Sequence, residues 1–203
     1  MSTATTTRPT VSSPSPPAPP TLHRITVDEY ERIGDSGALE DAHRIELIDG
    51  YMVDKMAKKP GHSYATKEAF KALGSRLPAG WTWRSEQPIR IPPYDEPEPD
   101  VSIVRGSDAD YRHRMPTAAD VALVVEVSES SLDQDQGKKL SAYAKGKIPV
   151  YWIVNLVDRR VEVYSRPSKD GYKSRKDFLP GQQIPVKIGG QSLPPIAVDD
   201  ILP

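Results

Sequence analysis

The chain has 203 residues, of which 37% are hydrophobic, enough for the core of one domain and too few for two large ones. Its formal net charge of −1 disfavours nucleic-acid binding through bulk positive charge, so any such binding would need a local basic patch. Cysteine is absent, which excludes disulfides and thiolate metal sites and leaves oxygen ligands and four histidines, a set that favours magnesium or manganese over zinc.

The N-terminal segment differs in composition from the rest of the chain. Residues 1–20 hold six of the 21 prolines, together with many Ser and Thr. Because such a segment cannot bury enough apolar surface to offset its ordering entropy, we predict a disordered tail over residues 1–21 and one folded domain over residues 22–203. No apolar run approaches the roughly 20 residues that cross a bilayer, and the start lacks the apolar core of a secretory signal. We therefore expect a soluble cytoplasmic protein without membrane contact.

The first half of the domain carries helix and hairpin signals. Thr26 and Glu29 are spaced as a capping box, which starts a helix, and Asp49-Gly50 is a tight-turn signal between two short apolar runs. Apolar residues recur with helical spacing before the next strands. The elements predicted here are a helix over 26–34, strands over 44–49 and 51–53, a helix over 62–77, and strands over 81–84 and 88–91.

The second half predicts a sheet buried on both faces. Val121–Val127 is apolar throughout except for Glu126, as expected of a central strand covered on both sides. Strand, helix and strand between residues 121 and 154 form a parallel, right-handed crossover. The elements predicted here are strands over 100–104 and 121–127, a helix over 133–147, strands over 150–154 and 161–164, and further short strands over 172–198. The fold class is α/β in the broad α+β sense, with a central mixed β-sheet flanked by helices.

Glu126 gives the first functional signal. A carboxylate inside an apolar strand costs several kcal/mol unless it is paired or bound to a metal. Asp100 stands at the entry of the neighbouring strand, so the two carboxylates can share a divalent cation. Lys139 lies on the crossover helix, where its ammonium can orient an attacking water. The alternative is a structural domain in which Glu126 and Lys139 form only a buried ion pair.

Several sequence blocks occur in an order that is typical of one family. They are Glu46-Leu-Ile-Asp-Gly50, Pro99-Asp-Val101, Val125-Glu-Val-Ser128, Asp135-x-x-x-Lys139, Tyr143 and Ile148-Pro-Val-Tyr-Trp-Ile-Val154. Together they resemble the Uma-two family of putative restriction endonucleases, a branch of the PD-(D/E)XK nuclease superfamily, from about residue 25 to the end of the chain. The resemblance implies a restriction-endonuclease-like core and a magnesium-dependent endonuclease, a hydrolase that cuts phosphodiester bonds of DNA.

The resemblance also implies roles for individual residues. Asp100 and Glu126 become ligands of Mg²⁺ or Mn²⁺, the carbonyl of Val127 a further ligand, and Glu46 an outer or second ligand. The superfamily's usual lysine, two residues after the glutamate, is replaced here by Ser128. In this family the lysine has moved to the next helix, which gives its role to Lys139.

Other residues are candidates for supporting or substrate-binding roles. Asp135 is placed for an (i, i+4) pair with Lys139, and Tyr143 for packing beneath the site. His62 contacts the scissile phosphate or caps its helix. Gln87 lines the cleft or is a plain strand-end amide. Lysines either follow the phosphate backbone of DNA or form a solvated face; they are Lys55, Lys58, Lys59, Lys67 and Lys71.

Two questions stay open at this level. The near-neutral charge and Ser128 at the usual lysine position also fit a nuclease fold with weak or no catalysis that binds DNA or protein. Many nucleases of the superfamily act as dimers, so the resemblance allows a homodimer.

Overall fold

The computed structural model describes residues 21–203, and the tail predicted over residues 1–21 lies outside this range except for Thr21. The helices are α1 (Val27–Asp35), α2 (Pro60–Gly74) and α3, which consists of an α-helical turn (Leu132–Gln134), a π-helical turn (Asp135–Lys139) and a second α-helical part (Leu140–Lys145). Short 3₁₀ turns lie at Ala42–Arg44, Asp108–Tyr111, Ala118–Asp120 and Val198–Asp200. The strands are β1 (Ile45–Ile48), β2 (Tyr51–Asp54), β3 (Trp81–Ser85), β4 (Val101–Arg105), β5 (Val121–Ser128), β6 (Val150–Asn155), β7 (Arg160–Ser168), β8 (Gly171–Phe178), β9 (Gln183–Ile188) and β10 (Gln191–Ala197).

The centre of the domain is a six-stranded mixed sheet in the order β3-β4-β5-β6-β7-β8. β5 and β6 are parallel, and the other neighbouring pairs are antiparallel. The parallel pair is joined through α3, because a parallel connection needs a crossover that returns the chain to the same end of the sheet. The predicted mixed sheet and crossover are confirmed.

The two faces of this sheet pack against different layers. Val125 and Val127 belong to the core shared with α2 and the β9–β10 hairpin, whereas Val124 belongs to the core shared with α3. Since side chains alternate along a strand, Glu126 points to the same face as Val124. Glu126 is only 4% exposed and lies under α3. The Glu126 carboxylate is therefore buried beside the crossover helix.

Local signals set the N-terminal part. Thr26 caps α1: its hydroxyl accepts from the Glu29 amide at 3.3 Å, while its own amide donates to the Glu29 carboxylate at 2.8 Å. The β1–β2 hairpin turns through Asp49 (φ 54°) and Gly50 (φ 77°). Gly50 suits this turn because a Cβ there would lie 2.7 Å from the Cβ of Arg24. The predicted helix start and hairpin are both confirmed.

Several predicted boundaries are wrong for identifiable reasons. Residues 88–91 form only isolated bridges at Arg90 and Ile91, because the prolines around them remove the amides that a strand ladder needs. The helix predicted over 133–147 runs from residue 132 to 145, and Lys147 takes a left-handed conformation (φ 61°) just after it. Helix α2 begins and ends earlier than the predicted 62–77.

None of the helices in the described part of the chain is long and apolar enough to cross a membrane.

Candidate active site

A polar cavity of about 280 Å³ lies where the start of β4, the end of β5 and the first turns of α3 meet. The hairpin β1–β2 and the start of α2 complete its wall. The polar side chains that line it include Glu46, Lys55, Lys58, His62, Glu86, Glu98, Asp100, Glu126, Gln134, Asp135 and Lys139. The cavity therefore brings together the three residues that the sequence singled out first.

Asp100 is placed by the register of the sheet. Val101 lies opposite Val125 in the antiparallel β4–β5 pair, so Asp100 stands beside the end of β5. Its Oδ2 accepts a hydrogen bond from the amide of Val127 at 2.8 Å. In an extended strand the amide and carbonyl of one residue point to the same side. The Val127 carbonyl therefore points to the edge where Asp100 lies, and Val127 lines the cavity.

The ammonium of Lys139 joins two carboxylates. Its Nζ lies 3.0 Å from Glu46 Oε1 and 3.2 Å from Glu126 Oε1. Tyr143, one turn further along α3, donates its hydroxyl to the same Glu126 oxygen at 2.6 Å. Lys139 is only 7% exposed, so this pairing is shielded from solvent. Glu46, predicted as an outer ligand, contacts Lys139 directly.

The π-helical turn of α3 changes the expected partner of Asp135. An (i, i+4) pair with Lys139 was expected, but among the described residues Lys139 forms its salt bridges with Glu46 and Glu126. Asp135 instead accepts hydrogen bonds from the hydroxyls of Ser128 and Ser131, both at 2.6 Å. A π turn adds a residue to the helical repeat and rotates the side chains after it relative to those before it. Asp135 thus fixes the first turn of α3 to the end of β5.

Two further cationic or imidazole groups face Asp100. Lys58 Nζ lies 3.3 Å from Asp100 Oδ1 and 2.8 Å from Glu86 Oε1. His62 Nε2 lies 3.3 Å from Asp100 Oδ2. The helix cap of α2 is Lys59, not His62, so the capping alternative for His62 is wrong.

The other candidates lie outside the cavity. Gln87 is exposed and does not line it, and Lys59 pairs with Glu129 at 3.1 Å. Ser128 and Tyr143 are fully buried behind it. Glu86, Glu98 and Gln134 line the cavity without having been predicted. The acidic run that leads to Asp100 was the only sequence signal for Glu98, whose amide donates to Glu46 Oε2 at 3.1 Å.

The cavity carries an excess of negative charge. Six carboxyl groups line it against four Lys or Arg side chains. Burial raises the pKa of Glu126 well above its ordinary value, although the Lys139 charge opposes this. Burial also disfavours the charged form of Lys139, but Glu126, Glu46 and Asp135 outweigh it and raise the pKa of Lys139. For Asp100, burial is outweighed by His62, the Val127 amide and Lys58, which lower its pKa. These carboxylates therefore favour the charged form of Lys139, which donates a hydrogen bond to Glu126.

The donor set fits a hard divalent cation. The cavity offers carboxylate oxygens of Asp100 and Glu126 and the carbonyl of Val127, and oxygen ligands suit magnesium and manganese. The described residues contain no group of three or more His, Cys, Asp or Glu arranged around a common metal position. The negative excess of the cavity adds an electrostatic preference for a cation.

Comparisons with known proteins point in one direction. The model of the Uma2 family (Uma-two above), described as putative restriction endonuclease, matches residues 27–194. A comparison with curated proteins gives no match. The crystal structure of a putative nuclease belonging to DUF820 from Anabaena variabilis superposes with a TM-score of 0.68 at 18% sequence identity, covering 87% of this chain and 97% of that chain. At this identity the superposition shows a common fold.

Proposed function

The chain belongs to the Uma2 family of putative restriction endonucleases, and on that premise we propose that the cavity is the active site of a metal-dependent endonuclease that hydrolyses DNA. The observation that carries the proposal is the buried Lys139 ammonium. It lies between Glu46 and Glu126 in the same cavity as Asp100. The family resemblance implies a lysine in the same site as two acidic residues from neighbouring strands, here Asp100 at the start of β4 and Glu126 in β5.

Asp100, Glu126 and the Val127 carbonyl would hold the cation. Mg²⁺ or Mn²⁺, when bound, lowers the pKa of a coordinated water and neutralises charge that develops on the phosphate. The Val127 amide fixes the Asp100 carboxylate at 2.8 Å, and Tyr143 fixes that of Glu126 at 2.6 Å. Both carboxylates are therefore held in place by the sheet and by α3 before a ligand arrives.

Lys139 acts as a hydrogen-bond donor. The nearby charges of Glu126, Glu46 and Asp135 raise the pKa of Lys139, which favours its charged, hydrogen-bond-donating form. It orients a water in the cavity and stabilises negative charge that develops near it. Glu46 of β1 and Glu126 of β5 hold the ammonium of Lys139, a residue of α3, in position. Glu46 thus positions Lys139 in addition to any role as an outer ligand.

Lys58 and His62 supply the substrate side of the site. Lys58 is 37% exposed in its side chain and reaches Asp100, so it can exchange this contact for a phosphate oxygen. His62 lies against the other oxygen of Asp100. A DNA substrate is consistent with the cytoplasmic location expected from composition, and a homodimer would allow both strands to be cut.

Plasmid nicking tests the proposal. Supercoiled DNA is incubated with the full chain and Mg²⁺ or Mn²⁺, and with the variants Asp100→Ala and Lys139→Ala. We expect metal-dependent nicking that falls at least about 100-fold in each variant. Lys138→Ala is the matched control, because Lys138 is the neighbouring exposed residue whose ammonium lies over the Tyr51 ring. Nicking that survives both site substitutions contradicts the assignment.

A binding module with the same fold is the second candidate. It is favoured by Ser128, which occupies the superfamily's lysine position and donates its hydroxyl hydrogen bond to Asp135. Such a module would retain DNA in a gel-shift assay and leave it uncut in Mn²⁺, whereas the proposed enzyme cuts it.

A further inference from the structure

A second groove adjoins the candidate active site. It has a volume of about 310 Å³, near the lower end of ligand pockets at roughly 300 Å³. Its wall is part aromatic and part basic, with Phe70, Trp83, Lys58, Lys67, Ser63 and Thr66 among the lining residues. It lies between helix α2 and β3, the edge strand of the central sheet.

Trp83 is the unusual residue of this groove. It is 41% exposed, although an indole is costly to leave in water. Phe70 packs against it edge-on, with ring centroids 4.0 Å apart and an interplanar angle of 75°. A Cβ on Gly74 would already touch the indole at 3.5 Å. The indole therefore packs against α2 and still presents aromatic surface to the groove.

The groove is continuous with the active-site cavity. Lys58 and Glu86 line both, and their ion pair of 2.8 Å marks the boundary. Glu86 is held in a left-handed conformation (φ 53°), and its amide donates to the carbonyls of Pro99 and Asp100 at 3.1 and 3.3 Å. The hydrogen bonds from the Glu86 amide to Pro99 and Asp100 therefore fix the wall between the two cavities.

We propose that this groove binds an unpaired base next to the scissile phosphate, so that the protein prefers single-stranded or locally opened DNA to intact duplex. The inference rests on the proposed function. An exposed indole stacks a base of any sequence, but only a base that has left the duplex stack. Lys67 at the rim and Lys58 at the boundary provide charge for the flanking phosphates, and Lys58 also neutralises Glu86.

Binding without cleavage tests the preference. Fluorescence anisotropy is measured with a labelled single-stranded oligonucleotide and with the same sequence as a blunt duplex, in EDTA. We expect tighter binding of the single strand, and Trp83→Ala should weaken it about tenfold while leaving duplex binding unchanged. Trp83→Phe should keep most of the affinity. Tyr64→Ala is the matched control, because Tyr64 is a 49% exposed aromatic residue of α2 that does not line the groove.

A pair of lysine variants gives a second readout if Trp83→Ala fails to fold. Lys67→Ala should weaken single-strand binding more than Lys71→Ala, since Lys71, one turn along α2, is already paired with Glu68 at 2.7 Å. Equal affinity for single strand and duplex would overturn the inference. A Trp83→Ala variant that binds the single strand as tightly as the unmodified chain would also overturn it.

Failure of the two proposals can be told apart. Trp83-dependent binding of single strands without any nicking removes the hydrolytic function and leaves the groove assignment standing. Metal-dependent nicking, combined with single-strand binding that Trp83→Ala leaves unchanged, removes the groove assignment alone.

Discussion

Replacing Lys139 with Met removes the cation from the centre of the buried acidic cluster. At 3.0 and 3.2 Å from Glu46 and Glu126, each attraction amounts to about 5 kcal/mol for an effective dielectric constant of 20. Much of this offsets the desolvation of the charges. Breaking a buried pair by removing one partner costs about 3–5 kcal/mol, because the other charge is left uncompensated. We expect Lys139→Met to lower the free energy of unfolding by that amount at pH 8.

The pH dependence follows from the carboxylates that remain. Burial raises the pKa of Glu126 above its ordinary value of 4.5 even with Lys139 in place. A carboxyl group whose pKa is raised in the folded state binds its proton more tightly there than in the unfolded chain, so stability falls as pH rises above 4.5. Lys139 opposes this rise, so its removal raises the pKa of Glu126 further, and the penalty of Lys139→Met should be smaller at pH 5 than at pH 8.

Urea denaturation followed by circular dichroism at the two pH values measures this penalty. Lys138→Met is the control; the exposed Lys138 makes a cation–π contact with Tyr51, worth about 0.5–1 kcal/mol. A loss below about 1 kcal/mol for Lys139→Met at pH 8, or a loss that grows towards pH 5, would refute the electrostatic reasoning.

Two further predictions concern the segments that frame the site. Burial and the charge of Glu31 raise the pKa of Glu96 to about 7, so the charged form of Glu96 is costly in the folded protein. In urea denaturation, Glu96→Gln should therefore stabilise the fold by roughly 3 kcal/mol at pH 8 and little at pH 5. An equal effect at the two pH values would contradict this prediction. Gly50→Ala should destabilise the fold by more than about 1 kcal/mol in thermal melts, because Gly50 has a positive φ and lies close to the Arg24 Cβ. Gly34→Ala in α1 is the control, and it should be neutral or stabilising because the space around Gly34 is open. Equal melting temperatures of the two variants would contradict the argument about the turn.

The elements set by local chemistry could be predicted from sequence. Thr26 and Glu29 cap α1 through bonds within four residues, and Asp49-Gly50 supplies the two positive φ angles of the hairpin turn. Glu126 could be singled out because a carboxylate in an apolar strand needs a partner. The family expected from the sequence blocks is confirmed by the match over residues 27–194.

The partners of Lys139 could not be predicted in full. The π turn over Asp135–Lys139 has no sequence period of its own, and tertiary contacts hold it: Asp135 takes hydroxyl hydrogen bonds from Ser128 and Ser131, and Tyr151 donates to the Asp135 carbonyl at 3.1 Å. Glu46 reaches Lys139 from a hairpin far away in the chain. Only the folded arrangement shows that Glu46, and not Asp135, pairs with the ammonium.

The groove at Trp83 was hidden for a similar reason. The sequence shows an aromatic residue in a short strand, which is ordinary core material. Its exposure depends on the position of β3 at the sheet edge and on its packing against Phe70 of α2, which only the fold shows.

The most direct test of the central claim is a calorimetric titration of the full chain with Mn²⁺. The account predicts binding that is lost in both Asp100→Asn and Glu126→Gln and is retained in Glu68→Gln, a carboxylate of α2 that pairs with Lys71 outside the cavity. Absence of binding in the unmodified chain, or binding that survives both cavity substitutions, would contradict the metal-dependent site.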